Sequence, residues 1–242
     1  TMRKKILTLI LTATVALSFA GCGSSGADTP SVDDTKAKVK DVLKDASSEE
    51  ESKVVEEHYE VDLSAGNYAV GIDIPVGTYN LTATGGTGNV SSSNMYTGGL
   101  NEIMGSPAEE GYSVDAFTGL KLASGDTLSL GGTVTLHATS ENAQVSGITA
   151  RTATDAAAID LGPGNYTVGT DFPAGTYNIV GTGASGNVSS DNMYDGGLNE
   201  IIGTDPSDGV SVTQFNNAVF EEGTTLEISG TSVQLVPVGE AK

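Results

Sequence analysis

From Val61 onward, apolar residues alternate with polar ones in short runs broken by glycine. Tyr68 and Val70 follow this period, as do Tyr79, Leu81 and Ala83; Tyr112 and Val114; Leu120 and Leu122; Leu128 and Leu130; and Val134 and Leu136. The second half repeats the pattern with Tyr166 and Val168, Tyr177 and Ile179, Leu226 and Ile228, and Val233 and Leu235. Period two puts successive side chains on opposite faces of a strand. Short strands with turn residues every 8–12 positions or so predict an all-β sandwich or barrel.

The chain also says the same thing twice. Asp62–Gly105 recurs without a gap as Asp160–Gly203, 98 residues later, and 30 of the 44 aligned residues are identical. A unit this long is a domain rather than a solenoid repeat, whose period is about 20–50 residues. The expected architecture is two tandem homologous β-sandwich-like domains, at 61–150 and 151–242. The duplication also supplies a control: a site that both copies need should be present in both.

Within the repeat, Ile74-Pro75-Val76-Gly77-Thr78 matches Phe172-Pro173-Ala174-Gly175-Thr176. Proline presets φ for a turn, and the glycine two residues later can close a three-residue hairpin loop in the left-handed conformation. Asp73 and Asp171 stand just before it, where a carboxylate can accept turn amides. Thr84–Asn89 and Thr182–Asn187 are glycine-rich and read as flexible turns. They lack the lysine and following helix of a phosphate-binding loop.

The first residues form an address. Arg3, Lys4 and Lys5 precede an uncharged apolar run of 15 residues, Ile6 to Ala20. That is short of the roughly 20 residues a membrane span needs and has the form of a secretory signal. It ends in Phe19-Ala20-Gly21-Cys22. Small residues before a cysteine resemble the bacterial lipobox, which implies cleavage before Cys22 and a lipid on its sulfur; Phe19 stands where that motif usually has leucine. Cys22 is the only cysteine, so no disulfide forms within these residues. Residues 1–21 are thus expected to be a lipoprotein signal peptide and 22–60 a lipidated acidic stalk, partly helical or disordered. Its spacing at Val39, Val42 and Leu43 suggests marginal helix.

The formal net charge is −20. Removal of Arg3, Lys4 and Lys5 makes it more negative still. A nucleic-acid partner, which needs clustered Lys and Arg, is excluded on this ground. So is adhesion to anionic lipid by charge, which leaves the lipid on Cys22 as the link to the membrane.

Val-Gly-x-Asp-(Ile/Phe)-Pro-x-Gly-Thr-Tyr-Asn, at Val70–Asn80 and Val168–Asn178, is similar to a segment of many Gram-positive lipoproteins of uncharacterised function. Asn101-Glu102-Ile103 resembles a stretch in the same proteins. The resemblance implies an extracytoplasmic, membrane-anchored location and a β-sandwich-like fold. It brings no activity and no catalytic residues.

Catalytic chemistry is sparse. His58 lies in the stalk, and His137 has an expected counterpart at or near Leu235, so a catalytic dyad would exist in one copy only. No spacing suggests zinc or an EF-hand-like calcium loop, and no cofactor or metal is expected. Asp191 and Asp195 could hold a cation only in the second copy, since Ser93 and Thr97 replace them in the first.

The most suggestive patch is Ser91-Ser92-x-Asn94-Met95-Tyr96-x-Gly98-Gly99-Leu100-Asn101-Glu102-Ile103, nearly identical in both copies. Leu100 and Ile103 could be buried by a single helical turn. Asn94, Tyr96, Asn101 and Glu102, with Asn192, Tyr194, Asn199 and Glu200, are the candidate ligand contacts, since Tyr and Asn are adaptable recognition residues. In the bland reading, the Asn and Ser side chains cap the turn. The leading expectation is a non-catalytic binding or structural module for an envelope glycan or protein. The alternative is a glycan-directed cell-envelope hydrolase using Glu102 and Glu200. A transporter substrate-binding protein fits poorly, because no βα alternation is visible.

Overall fold

The computed structural model describes residues 55–241. The signal sequence, Cys22 and nearly all of the stalk lie outside the described residues. Lys53–Lys242 form one compact unit, and it is built almost wholly of β-strands.

The first repeat contains β1 (Glu57–Leu63), β2 (Gly66–Ala69), β3 (Gly77–Ser92), β4 (Asn101–Ser106), β5 (Ala116–Leu122), β6 (Thr127–Leu130) and β7 (Thr135–Ala143). The second contains β8 (Ile159–Leu161), β9 (Gly164–Thr167), β10 (Gly175–Gly181), β11 (Gly186–Ser190), β12 (Asn199–Ile202), β13 (Gln214–Phe220), β14 (Thr225–Ser229) and β15 (Val233–Val238). β1 begins at Glu57, inside the segment read as stalk, and His58 belongs to it, 2.9 Å from Glu141.

Strand pairing is the same in both repeats. β1–β7–β3–β5 corresponds to β8–β15–β10–β13, and β4–β3–β6–β2 to β12–β11–β14–β9. The difference is in the middle. In the first repeat the 16-residue β3 runs through both pairings, flanked by β5 and β7 over its first half and by β4 and β6 over its second. In the second repeat residues 182–185 break this strand into β10 and β11. The glycine-rich segment read as a flexible turn is therefore continuous strand in the first copy. Gly88 shows the reason for glycine there: a Cβ would stand 1.8 Å from the Gly131 carbonyl oxygen.

The alternation carries the core. Tyr79, Leu81, Leu120, Leu128, Leu130 and Leu136 are fully buried in one hydrophobic cluster. Ile179, Val188, Phe215, Phe220, Leu226 and Leu235 are buried in a second. Each fully buried aliphatic or aromatic side chain contributes roughly 1.5–3 kcal/mol. Tyr79 sits 1% exposed with its hydroxyl donating to the Pro75 carbonyl at 2.6 Å, and Tyr177 does the same to Pro173 at 2.8 Å. Burial pushes both phenols upward in pKa.

Several expectations are corrected. Tyr112 and Val114 alternate in sequence but are 59% and 40% exposed, on a turn and an isolated bridge. The Pro-x-Gly segment is no hairpin: Gly77 and Gly175 open β3 and β10, Gly175 in a nearly extended conformation at φ +159°, and the left-handed turn glycines are Gly71 and Gly169, at +91° and +85°. Asp73 and Asp171 do accept turn amides, from Ala69 at 2.9 Å and Thr167 at 2.7 Å. Leu100–Ile103 is not helical, since Asn101 begins β4. The counterpart of His137, expected at or near Leu235, is the adjacent Gln234: His137 lies 2.7 Å from Asp62, and Gln234 donates to Asp160 at 2.9 Å.

The segment between repeats is clasped at both ends. Arg151 donates through Nε to Asp73 Oδ1 at 2.7 Å and through Nη2 to Asp73 Oδ2 at 3.0 Å. Its backbone bridges Ala241, and Thr152 donates to the Glu240 carbonyl at 2.8 Å. One guanidinium thus ties the first repeat's turn to the linker and the C-terminal strand end. Among the described residues no counterpart of Arg151 reaches Asp171.

Candidate functional site

Two stapled loops and the cleft between the repeats make up the site. In each repeat, residues 93–98 or 191–196 form a multiple turn leading into β4 or β12. Asn94 holds the first loop from behind. Its Nδ2 donates to the Lys121 carbonyl at 2.8 Å and to Asp126 at 3.1 Å, and its Oδ1 accepts from Ser92 Oγ at 2.7 Å. Asn192 repeats the role, donating to the Val219 carbonyl at 2.9 Å. Ser92 and Ser190 each accept the amide eight residues on, from Leu100 and Leu198. Both asparagines are therefore staples, in line with the bland reading of that residue pair.

What the staples present is the tyrosine. Tyr96 is 91% exposed and Tyr194 89%, with Met95 and Met193 partly exposed beside them. Apolar rings this open, at the same place in both copies, contribute nothing to either core.

The second copy's loop is also where the first copy docks. Asn67 is 7% exposed. Its Nδ2 donates to the carbonyls of Gly196 at 2.8 Å and Gly197 at 3.0 Å, while its Oδ1 accepts from Ser129 at 2.8 Å. Asn216 answers from the other side, donating to the Ala65 carbonyl at 2.9 Å and to Ser64 Oγ at 3.1 Å. β2 and β13 pair in parallel at Gly66 and Asn216, which joins the first repeat's strands to β13, β10, β15 and β8 in one 11-stranded sheet and leaves β12, β11, β14 and β9 as a four-stranded sheet. Only glycine fits at position 66, because a Cβ would meet the Asn216 Cβ at 2.6 Å and φ is +153°. Ala65 is buried in the second repeat's hydrophobic cluster.

Beside this joint lies a cleft of about 610 Å³. Met95, Ser129 and Gly131 line it from the first repeat, and Met193, Tyr194, Asp195, Asn199 and Glu200 from the second. Of the eight candidate contacts, Tyr194, Asn199 and Glu200 come together here. Tyr96, Asn101 and Glu102 lie on the exposed surface of the first repeat. Glu102 and Glu200 are thus not equivalent in environment. Glu102 is exposed, whereas Glu200 is partly buried, with its Oε2 accepting the Gly132 amide at 2.9 Å. Burial raises the Glu200 pKa, and the Gly132 hydrogen bond partly opposes this.

That shift has a sign. The folded state favours the protonated form of Glu200, so its contribution is fully present below the ordinary value of 4.5 and is lost as pH rises through the higher folded value. Glu200→Gln, which stays neutral and keeps an acceptor for Gly132, should melt above the native protein at neutral pH. The difference should vanish on acidification toward 4.5. A constant difference across that range, followed by thermal denaturation, would remove burial of this charge as the cause.

Asp191 accepts the Thr225 amide at 3.1 Å, which employs one carboxylate of the candidate cation pair in a turn. Among the described residues no three His, Cys, Asp or Glu side chains converge as metal ligands. The joint residues Asn67, Ser129, Gly132 and Asn216 were not singled out from sequence. The available signal was in the differences between copies: Asn216 stands where the first repeat has Thr118, and Gly131 where the second has Ser229.

Fold and site together define an all-β protein whose two sequence repeats share one strand-pairing pattern, with a cleft where they meet. Against protein-family models, curated proteins and solved structures, the chain matches none.

Proposed function

We propose that this is a lipid-anchored, extracytoplasmic protein whose paired β repeats bind an envelope glycan or protein rather than catalyse a reaction. The membrane link is the lipid on Cys22. The observation that carries the reading is the near-complete exposure of Tyr96 and Tyr194 on loops fixed from behind by Asn94 and Asn192. Rigid aromatic anchors cost little entropy on binding and dominate recognition energetics. Two such loops in one molecule favour avidity for a repetitive ligand.

One fractionation experiment tests both parts. The native chain sediments with membranes, and Cys22→Ala moves to the soluble fraction. That soluble chain binds isolated cell envelopes, and adding Tyr96→Ser with Tyr194→Ser weakens binding at least about tenfold, the scale of a lost hot-spot residue. Melting stays unchanged, since neither ring is buried. Undiminished binding by the double variant would end the tyrosine reading, and membrane retention of Cys22→Ala would end the anchor.

The runner-up, a glycan-directed hydrolase, draws its support from Glu200, a half-buried carboxylate of raised pKa in a cleft. Its intended partner Glu102 does not line that cleft. Release of reducing ends from envelope glycan, abolished by Glu200→Gln, would replace the binding reading with this one.

A further inference from the structure

The joint between repeats is heterologous: one face of the first repeat meets a different face of the second. Each repeat carries both faces in its sequence, so one of each is left over. The docking edge engaged at Gly66-Asn67-Tyr68 recurs at Gly164-Asn165-Tyr166, where Asn165 is exposed. The receiving loop engaged at Gly196-Gly197 recurs at Gly98-Gly99, where Gly98 is exposed and nothing stands within 4 Å of its Cβ position.

The unused edge keeps the local contacts of the engaged one, although Gly164 lacks the positive φ of Gly66. Tyr166 donates its hydroxyl to the Gly162 carbonyl at 3.0 Å, as Tyr68 does to Ser64 at 2.8 Å. Asn165 lies opposite Glu227 in the same register that puts Asn67 opposite Ser129. Pro163, exposed, takes the place of the buried Ala65.

The positions that differ are informative. Glu227 replaces Ser129 on the docking face, and Lys121 replaces Val219 on the receiving face. Ser129 and Val219 line the same cleft at the internal joint. In a repeated joint Glu227 and Lys121 would therefore border one cleft with opposite charges. Both are exposed, and neither has an ion-pair partner among the described residues. Other changes weaken the repeated joint. Thr118 lacks the amide that Asn216 uses, and Ser229, in place of Gly131, would meet the flexible end of Glu102.

We propose that the chain associates with further copies of itself, end to end: the β9 edge of one molecule docks on the 93–100 loop and β5 of the next, in the geometry of the internal joint. A contact between two different faces propagates head to tail, so it yields open assemblies or, where the rotation per copy closes, rings, rather than a two-fold dimer. Mixed charge at the contact makes the association selective against other arrangements of so acidic a chain.

Sedimentation velocity of the soluble Cys22→Ala chain at physiological ionic strength tests this. The mean mass should rise with concentration past that of a dimer. Asn165→Ala should weaken the association about tenfold, the scale of a lost buried hydrogen-bonding side chain. Lys121→Glu and Glu227→Lys should each weaken it, and the two together should restore it. Melting temperatures should not move, because these side chains are exposed in the single chain. A monomer up to submillimolar concentration, a closed dimer, or association indifferent to these substitutions would each overturn the proposal.

Discussion

Replacing Arg151 with methionine lowers the unfolding free energy by about 2–3 kcal/mol, toward the lower end of the cost of breaking a buried ion pair. The pair is shielded enough to matter: the Arg151 and Asp73 side chains are 17% and 11% exposed. Methionine keeps the aliphatic stem, so the loss is that of the charge and its three hydrogen bonds, two to Asp73 and one to the Gly239 carbonyl. What remains is a mostly buried Asp73 carboxylate with no cation facing it and the Ala69 amide as its one hydrogen-bond donor among the described residues. For a unit of this size the melting temperature should fall by roughly 4–12 °C. Asp171→Asn provides the internal comparison. Asp171 is exposed and bonds only Thr167 among the described residues, so its change costs about 1 kcal/mol or less. Urea titration of both variants decides the matter. Equal losses would mean that the clasp adds nothing to stability beyond the turn.

Asn67→Ala should have an effect of similar size, about 2–3 kcal/mol, because it leaves two glycine carbonyls and the Ser129 hydroxyl without their partner in a largely buried joint. Its signature differs. Both hydrophobic clusters survive the substitution, so the loss falls on the coupling between repeats. The unfolding transition should broaden and its denaturant slope decrease, as two partly independent transitions replace one. Asn165→Ala, the same residue in the same local sequence, should leave the single chain within about 0.5 kcal/mol of native stability. A narrow, unshifted transition in Asn67→Ala would show that the repeats are held together elsewhere.

This contrast marks the limit of what the residues reveal on their own. Period-two alternation was enough to find the strands that matter, because burial of Leu81, Leu128 or Leu226 is a property of one face of one strand. Asp73 and Asp171 were legible as turn acceptors for the same reason: the partner amide is four residues away. The long reach of β3 was hidden, since glycines at 85, 86 and 88 look like a turn until the neighbouring Gly131 carbonyl is seen pressing against them. Tyr112 and Val114 misled because alternation over so few residues also occurs in loops. At the candidate site, the identity of the 94–102 and 192–200 segments concealed a difference of role. Asn94 and Asn192 resolve into staples in both copies. Glu102 and Glu200 diverge because only one of them has a neighbouring repeat over it. No local pattern encodes that. The Arg151 clasp spans 78 residues to Asp73 and was likewise invisible in spacing.

The edge position of β1 has a mechanical consequence. Among the described residues β1 is outermost in its sheet and pairs only with β7, from Glu57 opposite Ala143 to Leu63 opposite Leu136. Tension entering from the residues before it meets that ladder at its terminal pair and can peel it open one pair at a time. Only Leu63 of this strand is fully buried, so little core resists the peeling. The next residues in the load path are Ser64, Ala65 and Gly66, which are the joint itself. Stretching the molecule would therefore sacrifice one edge strand first and then bear directly on the seam between repeats, leaving both sandwich interiors for last.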